Sequence, residues 1–227
     1  MGEDFRWVNF DRRESLLPED FKEPSGASQT KHRGSLLLSA LQEMVSHEWE
    51  NSHIAFVGDE WNVPEDTHIP AFTFIKNIME AAGYKYIIDF IWDCINVSGK
   101  FKAAEDEVRE EIENYLSFPS LPNEYGINPE NPYQGLFERD GVWFEYTVNE
   151  TKKISYSISK THFFLENEPD DYAAVPLPYL MGYGRTLKLG PWFGDIVSFR
   201  NEIGDDIQLA DSIYLYRQNR ISPKIIF

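Results

Sequence analysis

Trp49-Glu50-Asn51-Ser52-His53-Ile54-Ala55-Phe56-Val57-Gly58-Asp59-Glu60-Trp61 places a tryptophan before a short apolar run and closes the run with an acidic turn. Such a run bounded by Gly58-Asp59 reads as a buried strand. The pattern returns late in the chain, where Trp192 precedes Ile196-Val197-Ser198-Phe199-Arg200-Asn201-Glu202. Ile54 then falls on Ile196, Asp59 on Asn201 and Glu60 on Glu202. Ahead of each copy stands a second shared phrase, Val8-Asn9-x-x-Arg12-Arg13 and Val148-Asn149-x-x-Lys152-Lys153. Two phrases in the same order predict a duplicated unit.

Working outward, Phe5 to Phe10 reads as a strand entering the charged turn Asp11 to Glu14, and Pro18 to Gly34 as a loop. Leu37, Leu41, Met44 and Val45 recur at helical spacing behind Ser35, a good N-cap, which predicts a helix over 36–49. Pro70 opens a second helical pattern that carries Phe74, Ile75, Ile78 and Met79 and stops at Gly83. Tyr84 to Ile95 is rich in β-branched and aromatic residues and leans toward a buried strand. Ala103 to Phe118 forms a helical stripe of Val108, Ile112, Tyr115 and Leu116 against an acidic face.

Residues 119–132 hold Pro119, Pro122, Pro129 and Pro132 and read as a linker. After it, Asp140-Gly141 between apolar runs signals a hairpin that ends in Val142 to Val148, because a tight turn needs positive φ at its centre. Strands are expected at Ile154 to Ser159, Leu187 to Leu189, Ile196 to Phe199 and Ile213 to Tyr216, with a short helix within Tyr172 to Tyr183. The expected fold is α+β. Two related units with twisted, mainly antiparallel sheets span 1–118, covered by helices, and 133–227, which is β-rich.

The chain carries 21 Lys and Arg against 38 Asp and Glu, a net charge of −17 over 227 residues. The first 118 residues hold 11 of those bases and 23 of the acids, so the acidity sits mainly in the first half. A chain of this sign repels nucleic-acid phosphate and attracts basic partners or cations. The single cysteine, Cys94, allows no internal disulfide and suits a reducing compartment. Met1 to Trp7 is charged and carries no apolar signal segment, and Tyr86 to Ile95 is too short and too acidic to span a bilayer. A soluble cytoplasmic protein is expected, with no membrane contact and no direct nucleic-acid binding.

The phrase V-N-x-x-[KR]-[KR], then a tryptophan some forty residues on, then a turn of the I-x-x-x-G-D type, resembles a loosely defined group of small uncharacterised bacterial proteins. In that group the basic pair is followed by Glu, as at Glu14, whereas Ile154 stands there in the second copy. Gly58-Asp59 is replaced by Arg200-Asn201. The resemblance implies two related units, the second diverged, and carries no catalytic residue across.

No phosphate-binding, nucleophile-elbow or zinc-helix motif occurs, and Gly182-Tyr183-Gly184 lacks the rest of a dinucleotide fingerprint. His47, His53, His68, Asp59 and Glu60 are the residue types that hold a divalent ion, but their spacing matches no familiar site. The pairs Asp59/Glu60, Asp170/Asp171 and Asp205/Asp206 are of the kind that splits acid and base roles in hydrolysis. Solvated turns are the commoner home for such residues in an acidic chain, and Asn9, Asn149, Trp49 and Trp192 read as turn formers and core anchors.

Two function classes follow. In the first, the chain is a cytoplasmic acidic binding protein of the immunity, inhibitor or nucleic-acid-mimic kind, engaging a basic protein partner without a cofactor. Its binding residues would be Asp59, Glu60, Trp61, Glu105, Glu107, Glu110, Glu111 and Glu202. In the second, it is a small metal-dependent hydrolase or nuclease using the carboxylates near Asp59 or Asp205.

Overall fold

The phrase around Asn9 folds as a hairpin, with β1 (Phe5–Asn9) returning antiparallel into β2 (Glu14–Leu16). On its other side β1 pairs antiparallel with β3 (Ile54–Gly58), so that Asn9 lies opposite Ile54. The computed structural model of the 227-residue chain describes residues 3–21, 23, 25–26, 35–59, 70–101, 144–166, 175–217 and 220–227. Every residue of β1 and β3 is buried, as expected for strands covered on both faces. Two edge strands, β4 (Ile95–Asn96) beside β2 and β8 (Gly182–Tyr183) beside β3, add in parallel and complete the order β4-β2-β1-β3-β8.

The second phrase repeats this arrangement. β5 (Tyr146–Asn149) and β6 (Ile154–Ser157) form the hairpin, β9 (Val197–Arg200) pairs antiparallel with β5, and β10 (Gln208–Leu209) lies parallel to β6. The order β10-β6-β5-β9 has the same sense and pairing as β4-β2-β1-β3. The register corrects the alignment by one residue: Asn149 lies opposite Val197, so Val197, and not Ile196, corresponds to Ile54. Glu202 then corresponds to Asp59. The two sheets touch at matching points, through an antiparallel bridge between His53 and Ile196, each the residue just before its strand.

A third sheet stands outside this scheme. β7 (His162–Leu165) runs parallel to β11 (Ser212–Arg217), which pairs antiparallel with β12 (Ile221–Ile226). The described residues thus hold mixed sheets, with parallel pairs beside the antiparallel ones expected. β12 carries Pro223, a residue that removes a ladder donor and is tolerated because β12 is an edge strand.

Four helices cover the sheets among the described residues: α1 (Leu36–Ser46), α2 (Pro70–Ala81), α3 (Ile87–Trp92) and α4 (Leu177–Leu180). The Ser35 hydroxyl caps α1 by accepting the Leu38 N–H at 3.1 Å. The helix stops three residues short of Trp49, which closes a separate turn. Gly83, at φ 85, ends the chain segment behind α2 as the sequence predicts. The expected strand over 84–95 is instead α3 followed by the short β4. Ile87, Phe90 and Ile91 are buried at helical spacing while Trp92 faces out, so burial on one helical face prevails over the β-branched content.

One face of the first sheet packs Val8, Phe10, Ala55 and Val57 against α2 and α3. The other packs Phe5, Trp7 and Phe56 into a cluster that also takes Leu41 and Met44 of α1, Tyr156 and Val197 of the second sheet, and Ile213 and Leu215 of the third. That cluster draws on residues from both ends of the chain. The expected helix 103–118, the linker 119–132 and the Asp140-Gly141 turn lie outside the described residues. No helix among those described is long and apolar enough to cross a membrane.

Candidate functional site

The repeated phrases are spent on building their hairpins. Asn9 Oδ1 accepts the Arg12 N–H at 3.0 Å and Asn149 Oδ1 accepts the Lys152 N–H at 2.8 Å, the local closure that makes asparagine a turn former. Arg13 and Lys153 both take a left-handed backbone, each with φ 57. Between them a side chain reaches across to the next strand. Asp11 Oδ2 accepts the His53 N–H at 2.6 Å, and Thr151 Oγ1 accepts the Ile196 N–H at 3.1 Å. His53 Nδ1 also lies 2.9 Å from the same Asp11 oxygen, and its ring centroid is 3.8 Å from that of Phe74.

Trp49 and Trp192 are each 1% exposed, as core anchors should be. Their indole N–H groups fare differently. Trp49 Nε1 donates to Glu14 Oε2 at 2.7 Å, whereas Ile154 occupies the matching place and Trp192 Nε1 is buried without an acceptor among the described residues. The asparagines show the reverse. Asn149 Nδ2 donates to the buried carboxylate of Asp195 at 2.7 Å, an oxygen that also takes the Lys152 ammonium. In the first sheet Ser52 stands where Asp195 stands in the second, and Asn9 Nδ2 has no partner among the described residues.

Of the acids singled out by sequence, Asp59 is occupied by the fold. Its Oδ1 accepts the Asp4 N–H at 3.0 Å and its own N–H donates to the Asp4 carbonyl at 2.9 Å. Glu202 is exposed and makes no ion pair among the described residues. It begins a run, Asn201 to Tyr216, that carries Glu202, Asp205, Asp206 and Asp211, all exposed, and no Lys, Arg or His. None of those four carboxylates forms an ion pair with a described residue. The run is held firmly: Ile207 is buried with Tyr146 and Val148, Ile203 and Leu209 pack on them, and the Gln208 and Ala210 N–H groups donate to Lys153 and Ser155. Glu202 was singled out from sequence as a binding residue, and Asp205 and Asp206 as a candidate acid and base pair. A stretch with four acids and no base was the available signal for Asp211.

Glu60, Trp61, His68, Glu105, Glu107, Glu110, Glu111, Asp170 and Asp171 lie outside the described residues. His47 sits exposed at the end of α1, 3.2 Å from Glu43. Among the described residues no three His, Cys, Asp or Glu side chains converge as metal ligands do. Cys94 is buried, and that burial pushes its thiol up to about 12, so it stays protonated and unreactive.

One constellation has the residue types of a nucleophile site. Ser157 and Lys160 stand beside Tyr146 and Glu145, and serine with lysine serves in some hydrolases. The geometry argues against it. Ser157 is 1% exposed and gives its hydroxyl to Glu145, which also accepts the Ser159 hydroxyl at 2.5 Å. Lys160 Nζ donates to Tyr146 Oη at 2.8 Å, and that bond raises the lysine's pKa, which keeps it charged and unable to act as a base. The cluster is a clasp on the turn after β6. A hollow between α1 and the second sheet, walled by Leu38, Gln42, Thr147, Tyr156 and Phe199, brings no acid and base together.

No family model, curated protein or solved structure matches the chain, so these residues and their geometry carry the functional reading alone.

Proposed function

We propose that the protein acts by binding a protein partner with a basic surface, as an acidic binder of the immunity, inhibitor or nucleic-acid-mimic kind, and that Asn201 to Asp211 forms part of the contact. The observation behind this reading is the set of four exposed carboxylates, Glu202, Asp205, Asp206 and Asp211, unpaired within the described residues and presented on an anchored loop. A preset group of like charges attracts a complementary surface over a distance and raises the encounter rate by factors of about 10 to 1000 at low salt. The net charge of −17 adds to that field. Work in the cytoplasm suits a chain whose one cysteine is a buried thiol.

The test is a titration of the isotope-labelled protein with poly-L-lysine, followed through its backbone amides. The amides of 201–211 should shift at low polycation concentration and recover when salt is added. Shifts spread evenly over the acidic surface, with no concentration at 201–211, would refute the assignment of the loop.

A further inference from the structure

A second surface has the opposite character. Arg6, on the central strand β1, is 8% exposed, and its guanidinium lies 4.3 Å from the centre of the Trp92 indole at the end of α3. Two more cations stack on aromatic rings of the same segment, Arg13 over Tyr84 at 5.3 Å and Lys85 over Tyr86 at 5.0 Å. Among the described residues none of the three has a carboxylate partner, in a chain with 38 acids for 21 bases. Arg13 is tied to the Tyr84 hydroxyl at 2.6 Å, and Tyr84 in turn donates to Asp93 at 3.0 Å. Arg6 has no hydrogen-bond acceptor among the described residues.

A residue only 8% exposed leaves its guanidinium little room for water, and the face of one indole offsets only part of that loss. The same segment exposes large apolar groups. Trp92 is 57% exposed, Tyr86 56% and Ile95 65%, which makes three of the five large hydrophobics that stand out on the described surface. Aromatic residues and arginine are the side chains enriched at the centres of protein interfaces.

We infer that the α3 face binds a peptide segment of a partner protein that offers one carboxylate beside an aromatic or apolar side chain. The carboxylate would pair with Arg6, and the apolar neighbour would lie against Trp92 and Ile95. Charge complementarity selects this occupant. A guanidinium with no acceptor among the described residues and little access to water calls for an anion, and its planar fork suits a carboxylate. A polyanion such as single-stranded nucleic acid fits less well, because Asp89 and Asp93 stand on the same segment and the chain as a whole is at −17. The site uses none of the residues of the 201–211 loop, so each stands or falls without the other.

The experiment measures the anisotropy of a fluorescein-labelled peptide, Gly-Phe-Glu-Phe-Gly, with its glutamine counterpart and an oligothymidylate as comparators. The glutamate peptide should bind saturably and the glutamine peptide about tenfold more weakly, the worth of one charged hydrogen-bonded contact. Arg6→Gln should reproduce that loss with the glutamate peptide, and Trp92→Ala should weaken both peptides. Equal binding of the two peptides, binding unchanged in Trp92→Ala, or tighter binding of the oligothymidylate would overturn the proposal. Should Arg6→Gln fail to fold, the peptide comparison and Trp92→Ala, a change at an exposed position, still decide it.

Discussion

The sheet built on Asn9 and the sheet built on Asn149 share strand order, turn geometry and register, yet each lacks the polar contact that the other keeps. The first gives Trp49 an acceptor in Glu14 and leaves the Asn9 amide unpaired; the second gives the Asn149 amide an acceptor in Asp195 and leaves the Trp192 indole unpaired. A duplicated unit that has since diverged is our reading of that shared register. Each sheet does without one of the two contacts but holds both the tryptophan and the asparagine, which locates the common requirement in packing and turn closure. The strand ends differ as well. Asp59, after β3, is bonded to Asp4, while its counterpart Glu202, after β9, has no ion-pair partner among the described residues and leads into an acidic run of the same kind.

The largest effect should come from the tryptophans. Trp49→Ala and Trp192→Ala should each lower stability by about 3–5 kcal/mol in urea unfolding, because both are 1% exposed in the shared cluster. A Trp192→Ala protein as stable as wild type would break the equivalence of the two sheets.

Asp195 and Ser52 occupy matching places with different duties. Asp195→Ala strands the buried Asn149 amide and takes the carboxylate from Lys152, which keeps the Pro191 carbonyl, and should cost about 2–3 kcal/mol, while Ser52→Ala should cost about 0.5 kcal/mol or less. The mirror test uses Glu14, where Glu14→Ile copies the second sheet and should cost about 1–2 kcal/mol by leaving the Trp49 indole unpaired. A double change of Glu14→Ile and Trp49→Phe, which removes both partners, should recover part of that loss.

The smallest effect is one of pH. Burial opposes ionisation of Glu145, but hydrogen bonds from Ser157 and Ser159 outweigh it and hold the carboxyl below its usual value. A lowered carboxyl contributes stability above the unfolded value of about 4.3, and that contribution fades as pH falls through the folded one. Wild type should therefore exceed Glu145→Gln in melting temperature at neutral pH, and the gap should close on acidification. A gap that widens in acid would mean that the hydroxyls do not favour the charged form.

Much of this fold was open to reading from local pattern. The Asn-x-x-basic phrase marked both turns because its closure is made within four residues, although β2 behind the first turn was not expected, and Ser35 with Leu37, Leu41 and Met44 marked α1. The alignment slipped by one residue because Ile54 and Ile196 look alike, and only pairing with Asn9 and Asn149 shows that Val197 is the match. α3 was obscured by its isoleucines, whose burial depends on a sheet made elsewhere. The third sheet escaped notice because β7 shows no alternation and β12 contains Pro223. At the candidate sites, the acidic run after Glu202 was legible as charge, whereas Arg6 and Trp92 meet only through the fold, from β1 to the end of α3.

The most direct test of the binding account is the rate at which the protein associates with its basic partner, or with poly-L-lysine in its place, as a function of salt. A variant with Glu202, Asp205, Asp206 and Asp211 all changed to Lys keeps the buried anchor Ile207 and the half-buried Leu209 and should stay folded. Its association should be slower by about tenfold or more at low salt and lose most of its salt dependence. An unchanged rate and an unchanged salt slope in that variant would contradict the account.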